Sequence, residues 1–386
     1  MKIAMIGQKG IPAIFGGIEK HVEDLGAQLA KKHEVLVYAR NWYTPKNVSE
    51  FKGMKIVHRG TLHTKHLDAI VHTFISTMDA IFVQKADVIH YHGVGPSLLS
   101  FIPRILSPKT KVVATFHCID RYHQKWNWFA RFMLSMGEKA ACTFPHQTIA
   151  VSKTIQNYAL NEYKCYAVYN PNGVNKVGKE IGNKTLKEFG LEKDKYLVMI
   201  SRLVAHKGAH YLIKAFKNAK AKNPQLLAGY KLAIVGGSAF TDKYVDYLHR
   251  LAGNDKNIVF TGNQKGKKLE ELYANAKMLI HPSENEGLPI TVLQAMSYGI
   301  PALVSDIPEH QEVITDSHFW FTNASILSLT NKIIGLMKNP ELLKTAGRKN
   351  KQTAEKNYAW EDIAKKTEYV YQLSNEETRE LKLKTV

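Results

Sequence analysis

The feature that most restricts the fold is an alternation that runs through two long stretches of the chain. Short aliphatic runs are each followed by a longer segment with apolar residues at helical spacing. Ile3–Gly7 has the continuous apolar character of a strand buried on both faces. After it, Ile18, Val22, Leu25 and Leu29 recur at intervals that place them on one side of a helix reaching Lys31. Val35–Tyr38, Met54–His58, Val88–Tyr91, Val112–Phe116, Gln147–Val151 and Ala167–Tyr169 read as further strands. Such alternation predicts parallel sheets with crossover helices. The pattern stops at the turn signal Pro171–Gly173 and the polar, lysine-rich stretch from Asn175 to Asp194. It resumes at Tyr196–Ile200, Lys231–Val235, Ile258–Thr261, Met278–His281 and Pro301–Ser305. Two successive α/β domains are predicted, 1–174 and 175–357, facing a central cleft, followed by a closing segment, 358–386, with a helix from about Tyr358 to Leu373.

The length of 386 residues suits two domains of ordinary size. The formal charge of +19 favours anionic partners such as nucleotide phosphates or phospholipid. Nucleic acid is disfavoured, because no zinc-finger spacing, RNP-like strand or basic arm occurs and the cations are spread along the chain. A lysine-rich solvated surface accounts for the charge equally well. The three cysteines form no CxxC pair, which points to a reducing compartment. Met1 and Lys2 lead directly into the first strand, so no signal peptide is expected. No apolar run approaches the roughly 18–20 residues of a membrane span. The expectation is a cytoplasmic protein, with the inner face of the plasma membrane as a candidate surface. Lys125, Trp126, Trp128, Arg131, Phe132 and Met133 could supply an interfacial contact, or could simply pack in the first domain.

In parallel α/β folds the loops after the strands gather at the carboxyl edge of the sheet, where ligands bind. The first such loop carries Gly7, Gly10, Gly16 and Gly17. Gly16 and Gly17 open the first helix, where free N–H groups could meet a diphosphate. The spacing is not that of a dinucleotide fingerprint, but Arg40 at the end of the second strand keeps an NADP-dependent oxidoreductase open. After the first strand of the second domain come Arg202, a planar fork, and Lys207, a point charge, which together could clamp a diphosphate. Two solvated cations would be ordinary in so basic a chain, but the loop is expected to face the same cleft as Glu286, which favours the clamp. Gly236 ends the next strand and lets backbone come close to a ligand. In the loop from His281 the carboxylate of Glu286 can accept hydrogen bonds from hydroxyl groups. Gly287, Leu288 and Pro289 then lead into an apolar helix whose start suits an anion. A polyol-binding carboxylate beside an anion-binding helix start suggests a sugar attached to a phosphate. His117 and Asp120 follow the strand Val112–Phe116. His117 is placed to bond a sugar hydroxyl, and Asp120 could accept a proton or cap a helix.

The stretch from Glu286 resembles the signature of retaining glycosyltransferases of the GT-B fold, family 4. The family pattern is Glu, seven residues, Glu, then Ala-Met and a Gly-x-Pro turn, matched here by Glu286, Ala295, Met296, Gly299 and Pro301. Gln294 stands in place of the second Glu, whose implied task is to hold the nucleotide ribose. Gln keeps hydrogen-bonding capacity but loses the charge-assisted strength. Arg202 to Gly208 resembles the family's diphosphate motif, with His206 where Glu is frequent. Gly16 and Gly17 fall in the loop that lies beside the donor phosphates and the acceptor, and His117 on a family histidine. Thr261, Gly262 and Asn263 fall where the base is held. A closer resemblance is to bacterial rhamnosyltransferases of surface polysaccharide assembly, carried by Gly10 to Glu19 and by Thr115, His117 and Asp120 with Lys125 and Trp126 following. Cys118 replaces the usual Gly there.

The resemblance implies two Rossmann-like domains and a terminal helix that crosses back to the first. It also implies transfer of a sugar from a nucleoside diphosphate to a hydroxyl of a glycan or lipid-linked oligosaccharide. No Asp-x-Asp occurs in the sequence, so a site without metal, and no cofactor, is expected. Two alternatives share the fold: a sugar-nucleotide epimerase, and a binding protein weakened by Gln294.

Overall fold

The computed structural model describes residues 1–14, 16–61, 67–119, 121, 128–178, 181–374 and 377. The chain divides into two compact units, one formed by Met1–Gly173 with Trp360–Val386, the other by Val174–Ala359.

The strands of the first unit are β1 Lys2–Ile6, β2 Glu34–Arg40, β3 Glu50–Phe51, β4 Met54–Arg59, β5 Val88–His92, β6 Lys111–Phe116, β7 Gln147–Ala150 and β8 Val168–Tyr169. They form one sheet in the order β3-β4-β2-β1-β5-β6-β7-β8, parallel except where β3 turns back on β4. Lys52 and Gly53 both have positive φ, 50° and 78°, and make that hairpin turn. β3 has only two residues, and its exposed Glu50 breaks the apolar run that marks the other strands.

Helix Gly17–Leu29 lays Val22, Leu25 and Leu29 over Ile3, Met5, Val35 and Val37. Trp360, Ile363, Val370 and Tyr371 of helix Trp360–Gln372 enter the same core. The end of the chain therefore completes the first sheet's apolar layer. Polar contacts fix its register: Asn170 Nδ2 donates to Ile363 O at 3.2 Å and to Thr367 Oγ1 at 2.8 Å. Gly173 lies flush on the Trp360 ring, since a Cβ there would stand 2.5 Å from it.

The second unit has β9 Tyr196–Ile200, β10 Lys231–Val235, β11 Ile258–Gly262, β12 Met278–His281, β13 Ala302–Ser305 and β14 Trp320–Phe321. Their order is β11-β10-β9-β12-β13-β14, and every pairing is parallel. Pro301 falls just outside β13: its carbonyl accepts from Leu279 N–H at 2.9 Å, but lacking an N–H it can donate nothing to the ladder. Because all six strands run one way, the loops after β9, β10, β11 and β12 emerge at one edge. Among the described residues no helix is long and apolar enough to cross a membrane.

Trp360 is 2% exposed. Trp360→Ala is expected to cost about 3–5 kcal/mol, read as a lower denaturant midpoint for the first unit's transition in urea unfolding.

Candidate functional site

β9 and β12 are neighbours, so the segments that follow them lie side by side. The chain leaves β9 through Ser201 to Val204, makes a 3-10 turn at Ala205–Lys207, and enters helix Ala209–Lys222 at Gly208. β12 leads through Pro282–Pro289 to helix Ile290–Ser297. The two segments are stitched together by backbone. Glu284 N–H donates to His206 O at 2.8 Å, and Ser283 Oγ to the same carbonyl at 3.3 Å. Gly208 has φ 74°, and a Cβ on it would meet Pro282 O at 2.0 Å, so only glycine fits.

This scaffold holds Glu286, whose side chain is 10% exposed. Its Oε1 accepts from His281 Nε2 at 2.7 Å and from Lys207 Nζ in a short ion pair. Burial alone would raise its pKa. Lys207 and then the His281 bond outweigh burial and hold the carboxyl well below the usual range. Behind it His310 bonds Ser305 Oγ at 2.9 Å, and burial lowers its pKa to about 3. Glu286 is therefore a fixed, ionised acceptor. The sequence singled out Lys207 as a charge for a diphosphate; the structure pairs it with Glu286, because the buried carboxylate is the nearest counter-charge. Arg202 on the same loop is exposed.

Gly236, with φ 144°, has Ser201 O only 1.8 Å from where a Cβ would be. Leu203 N–H donates to Gly237 O at 2.9 Å, and Gly236 N–H to Gly262 O at 2.9 Å. Close backbone approach to the neighbouring loop thus explains this glycine without a ligand. Thr261 is buried, whereas Gly262 and Asn263 are exposed at the end of β11. Gly287 is half-buried and Leu288 and Pro289 are buried. Gln294 Oε1 accepts from the Tyr273 hydroxyl at 3.1 Å, and Tyr273 stacks on Tyr298 with centroids 5.4 Å apart.

The first unit presents histidines at its own strand ends. His117 follows β6 directly and His92 ends β5. His92 Nδ1 and His117 Nε2 are 3.3 Å apart. His21, from helix Gly17–Leu29, stands edge-on to His117 with centroids 4.7 Å apart, and its Nδ1 bonds Asn172 Oδ1 at 2.8 Å. Burial, reinforced by neighbouring imidazoles, pushes the pKa of His92 and of His117 well below the ordinary value. Burial takes that of His21 to about 4. The loop before that helix is pinned by the helix's own acids: Lys9 N–H donates to Glu19 Oε1 at 3.1 Å and Ala13 N–H to Glu23 Oε2 at 2.7 Å. Gly16 precedes the helix with φ 106° beside Glu19, and Gly17 is its first residue. Asp120, Lys125 and Trp126 lie outside the described residues. Arg40, which kept a 2′-phosphate reading open, is buried and paired with Asp68 at 3.0 Å.

Sequence reasoning missed His281, Tyr273, His21 and His92 as partners in these clusters. For His281 and His92 a signal existed, since each is the last residue of a parallel strand. His21 and Asn172 meet across 151 positions, and no local pattern announces that.

Two family models match the chain: Glycosyltransferase Family 4 over residues 15–176 and Glycosyl transferases group 1 over residues 183–353. An uncharacterized glycosyltransferase of Methanocaldococcus jannaschii is 25% identical, covering 97% of this chain and 99% of its own length. The O-antigen chain mannosyltransferase of Salmonella typhimurium is 29% identical over 53% of each chain. Among solved structures, HepE of Anabaena in complex with UDP-glucose has a TM-score of 0.78 at 19% identity, covering 97% of this chain and 100% of that one. The likeness establishes the GT-B fold, two Rossmann-like parallel-sheet domains.

Near the Glu286 cluster, burial first and then Glu286 and Glu312 raise the pKa of Glu309 to about 7. Its folded-state pKa exceeds the unfolded one, so the folded state binds the proton more tightly. The associated stability is present below the unfolded pKa and is lost as pH rises through about 7. Glu309→Gln is expected to raise unfolding free energy by about 1–3 kcal/mol at alkaline pH and to change it little in acid, as denaturant melts on both sides of the transition would measure.

Proposed function

The chain belongs to the group 1 glycosyltransferases, and from that premise we propose a retaining, metal-independent hexosyltransferase. Its donor is a nucleoside-diphosphate sugar, and its acceptor a hydroxyl of a glycan or lipid-linked oligosaccharide in surface polysaccharide synthesis. The observation that carries this reading is the fixed, ionised Glu286, held by Lys207 and His281 directly before the start of helix Ile290–Ser297. One oxygen of the carboxylate is committed to those partners, and the other can accept from donor-sugar hydroxyls. The exposed Arg202 and the start of helix Ile290–Ser297, reached through Gly287, Leu288 and Pro289, suit the diphosphate. Lys207 is paired with Glu286 and, on this reading, shares its charge with the diphosphate. Such groups stabilise the leaving diphosphate without covalent chemistry.

The remaining assignments extend the family resemblance. Gln294 faces the ribose, and Gly236, Thr261, Gly262 and Asn263 the nucleotide. Gly16 and Gly17 approach the phosphates and the acceptor. His117 orients the donor sugar, and Asp120 is the candidate proton acceptor. The resemblance of the Gly10 to Glu19 loop favours a rhamnosyl donor. Helix Trp128–Thr143 exposes Trp128, Phe132, Met133 and Met136, with Arg131 among them. That apolar, basic face suits peripheral contact with an anionic membrane on the cytoplasmic side.

The test is release of nucleoside diphosphate from candidate donors, with and without acceptor, and NMR of the product anomeric proton. An inverted product would end the retaining assignment, and a new sugar nucleotide formed from donor alone would identify an epimerase. Glu286→Gln is expected to lower kcat by roughly 10²–10³-fold, and Arg202→Ala with Lys207→Ala to abolish transfer. Gln294→Glu should tighten nucleoside-diphosphate binding by about tenfold, the worth of one charge-assisted bond; calorimetric titration measures it.

A further inference from the structure

Four buried histidines meet in the first unit: His21, His90, His92 and His117. His90 is fully partnered, its Nδ1 with the Tyr371 hydroxyl and its Nε2 with Thr115 Oγ1, both at 2.7 Å. His21 and His92 are not. His21 spends Nδ1 on Asn172, and its Nε2 is buried without a hydrogen-bond partner. His92 turns Nδ1 to His117 Nε2, while its other nitrogen, Nε2, is buried without a partner. The 3.3 Å between His92 Nδ1 and His117 Nε2 is long for a hydrogen bond. It matches the separation of about 3.3–3.4 Å between two nitrogens on a tetrahedral zinc ion with Zn–N near 2.0–2.1 Å. The three ring centroids stand 4.7, 5.5 and 5.6 Å apart, so the rings surround one point. One ring nitrogen from each lies within 4.8 Å of the other two.

We propose that His21, His92 and His117 form a binding site for a divalent transition-metal ion, zinc being the best chemical match. Three imidazoles and no carboxylate select zinc over magnesium or calcium, which take oxygen ligands. Asn172 holds His21 by Nδ1 and leaves Nε2 for the metal, the outer-sphere arrangement common to metal-bound histidines. Closing the widest gap takes side-chain movement of order 1 Å. A fourth position is left for water. The chain offers an instructive contrast in His281, Glu286 and His310, which also have ligand atoms grouped within 4.8 Å. There the Lys207 ammonium already supplies the cation. Occupation of the first site would engage His117. On the reading that His117 orients the donor sugar, zinc would therefore inhibit transfer without being needed for it.

The experiment uses the full chain stripped with a chelator and titrated with zinc by calorimetry, with metal content measured after dialysis. One saturable equivalent with micromolar or tighter Kd is expected. Cobalt(II) in its place should give the intense visible bands of four-coordination. His92→Phe, which keeps a ring but offers no lone pair, should remove that equivalent. Asn172→Ala should weaken it by about 10–100-fold. Absence of a saturable equivalent in the unmodified protein, where folding is not in question, overturns the site. So does an equivalent that survives His92→Phe in protein with an unchanged circular dichroism spectrum. Reversible slowing of transfer by zinc would support the link through His117. Zinc bound at one equivalent with an unchanged rate would overturn that link while leaving the site intact.

Discussion

The second unit is organised around one buried negative charge. Glu286 sits where two adjacent parallel strands end, and its ionised state depends on Lys207 from the turn after β9 and His281 from the end of β12. A carboxylate taken out of water is costly unless it is paired and hydrogen-bonded. That demand explains features that otherwise look unrelated. Gly208 must be glycine so that the Lys207 turn can press against Pro282. The His206 carbonyl receives both Glu284 N–H and Ser283 Oγ, locking the two loops in register. Ser305 Oγ donates to Ser283 O at 2.5 Å, tying in the end of β13. The loop has little freedom, and the cost of ordering the carboxylate is met in folding rather than on binding.

The same economy bears on Gln294. A second carboxylate on helix Ile290–Ser297, close in sequence to Glu286, would add negative charge to a segment whose cation Lys207 is already committed. Gln avoids that charge, and its Oε1 is satisfied by Tyr273, which the stacked Tyr298 holds in place. The departure from the family pattern is thus accommodated by local structure. What it forgoes is charge-assisted strength toward a hydroxyl-bearing ligand.

Much of the fold was legible because parallel strands buried on both faces write continuous apolar runs into the sequence. β9, β10 and β12 begin and end where those runs do. β3 and β14, two residues each, were not read from the sequence, whereas the equally short β8 was, within the apolar run Ala167–Tyr169. The positions of Glu286, Arg202 and Lys207 after strands of the second unit, and of His117 after a strand of the first, were legible in the sequence. The partnership of Lys207 with Glu286 was not, since it depends on β9 and β12 lying side by side although 79 positions separate the two residues. Spacing reports which residues share a helix face or strand end, but not which neighbouring strand the sheet will choose.

The histidines show how topology gives one residue type different tasks. β5 delivers His90 and His92 two positions apart, which in a strand puts both side chains on the same face. The helix carrying Tyr371 returns from the end of the chain and consumes His90, while Thr115 on β6 takes its other nitrogen. His92, one step nearer the carboxyl edge, is surrounded by the rings of His90, His117 and His21, and its Nε2 finds no hydrogen-bond partner. A structural histidine and a ligand-ready one are thus separated by a single strand repeat. The difference lies in whether donors and acceptors are available around each ring, and the terminal helix supplies one of them to His90 alone. Had Tyr371 been Phe, His90 would keep its Thr115 bond and lose its other partner, joining the unsatisfied set. The hydroxyl of one residue near the end of the chain therefore helps to define which nitrogens in this cluster remain open.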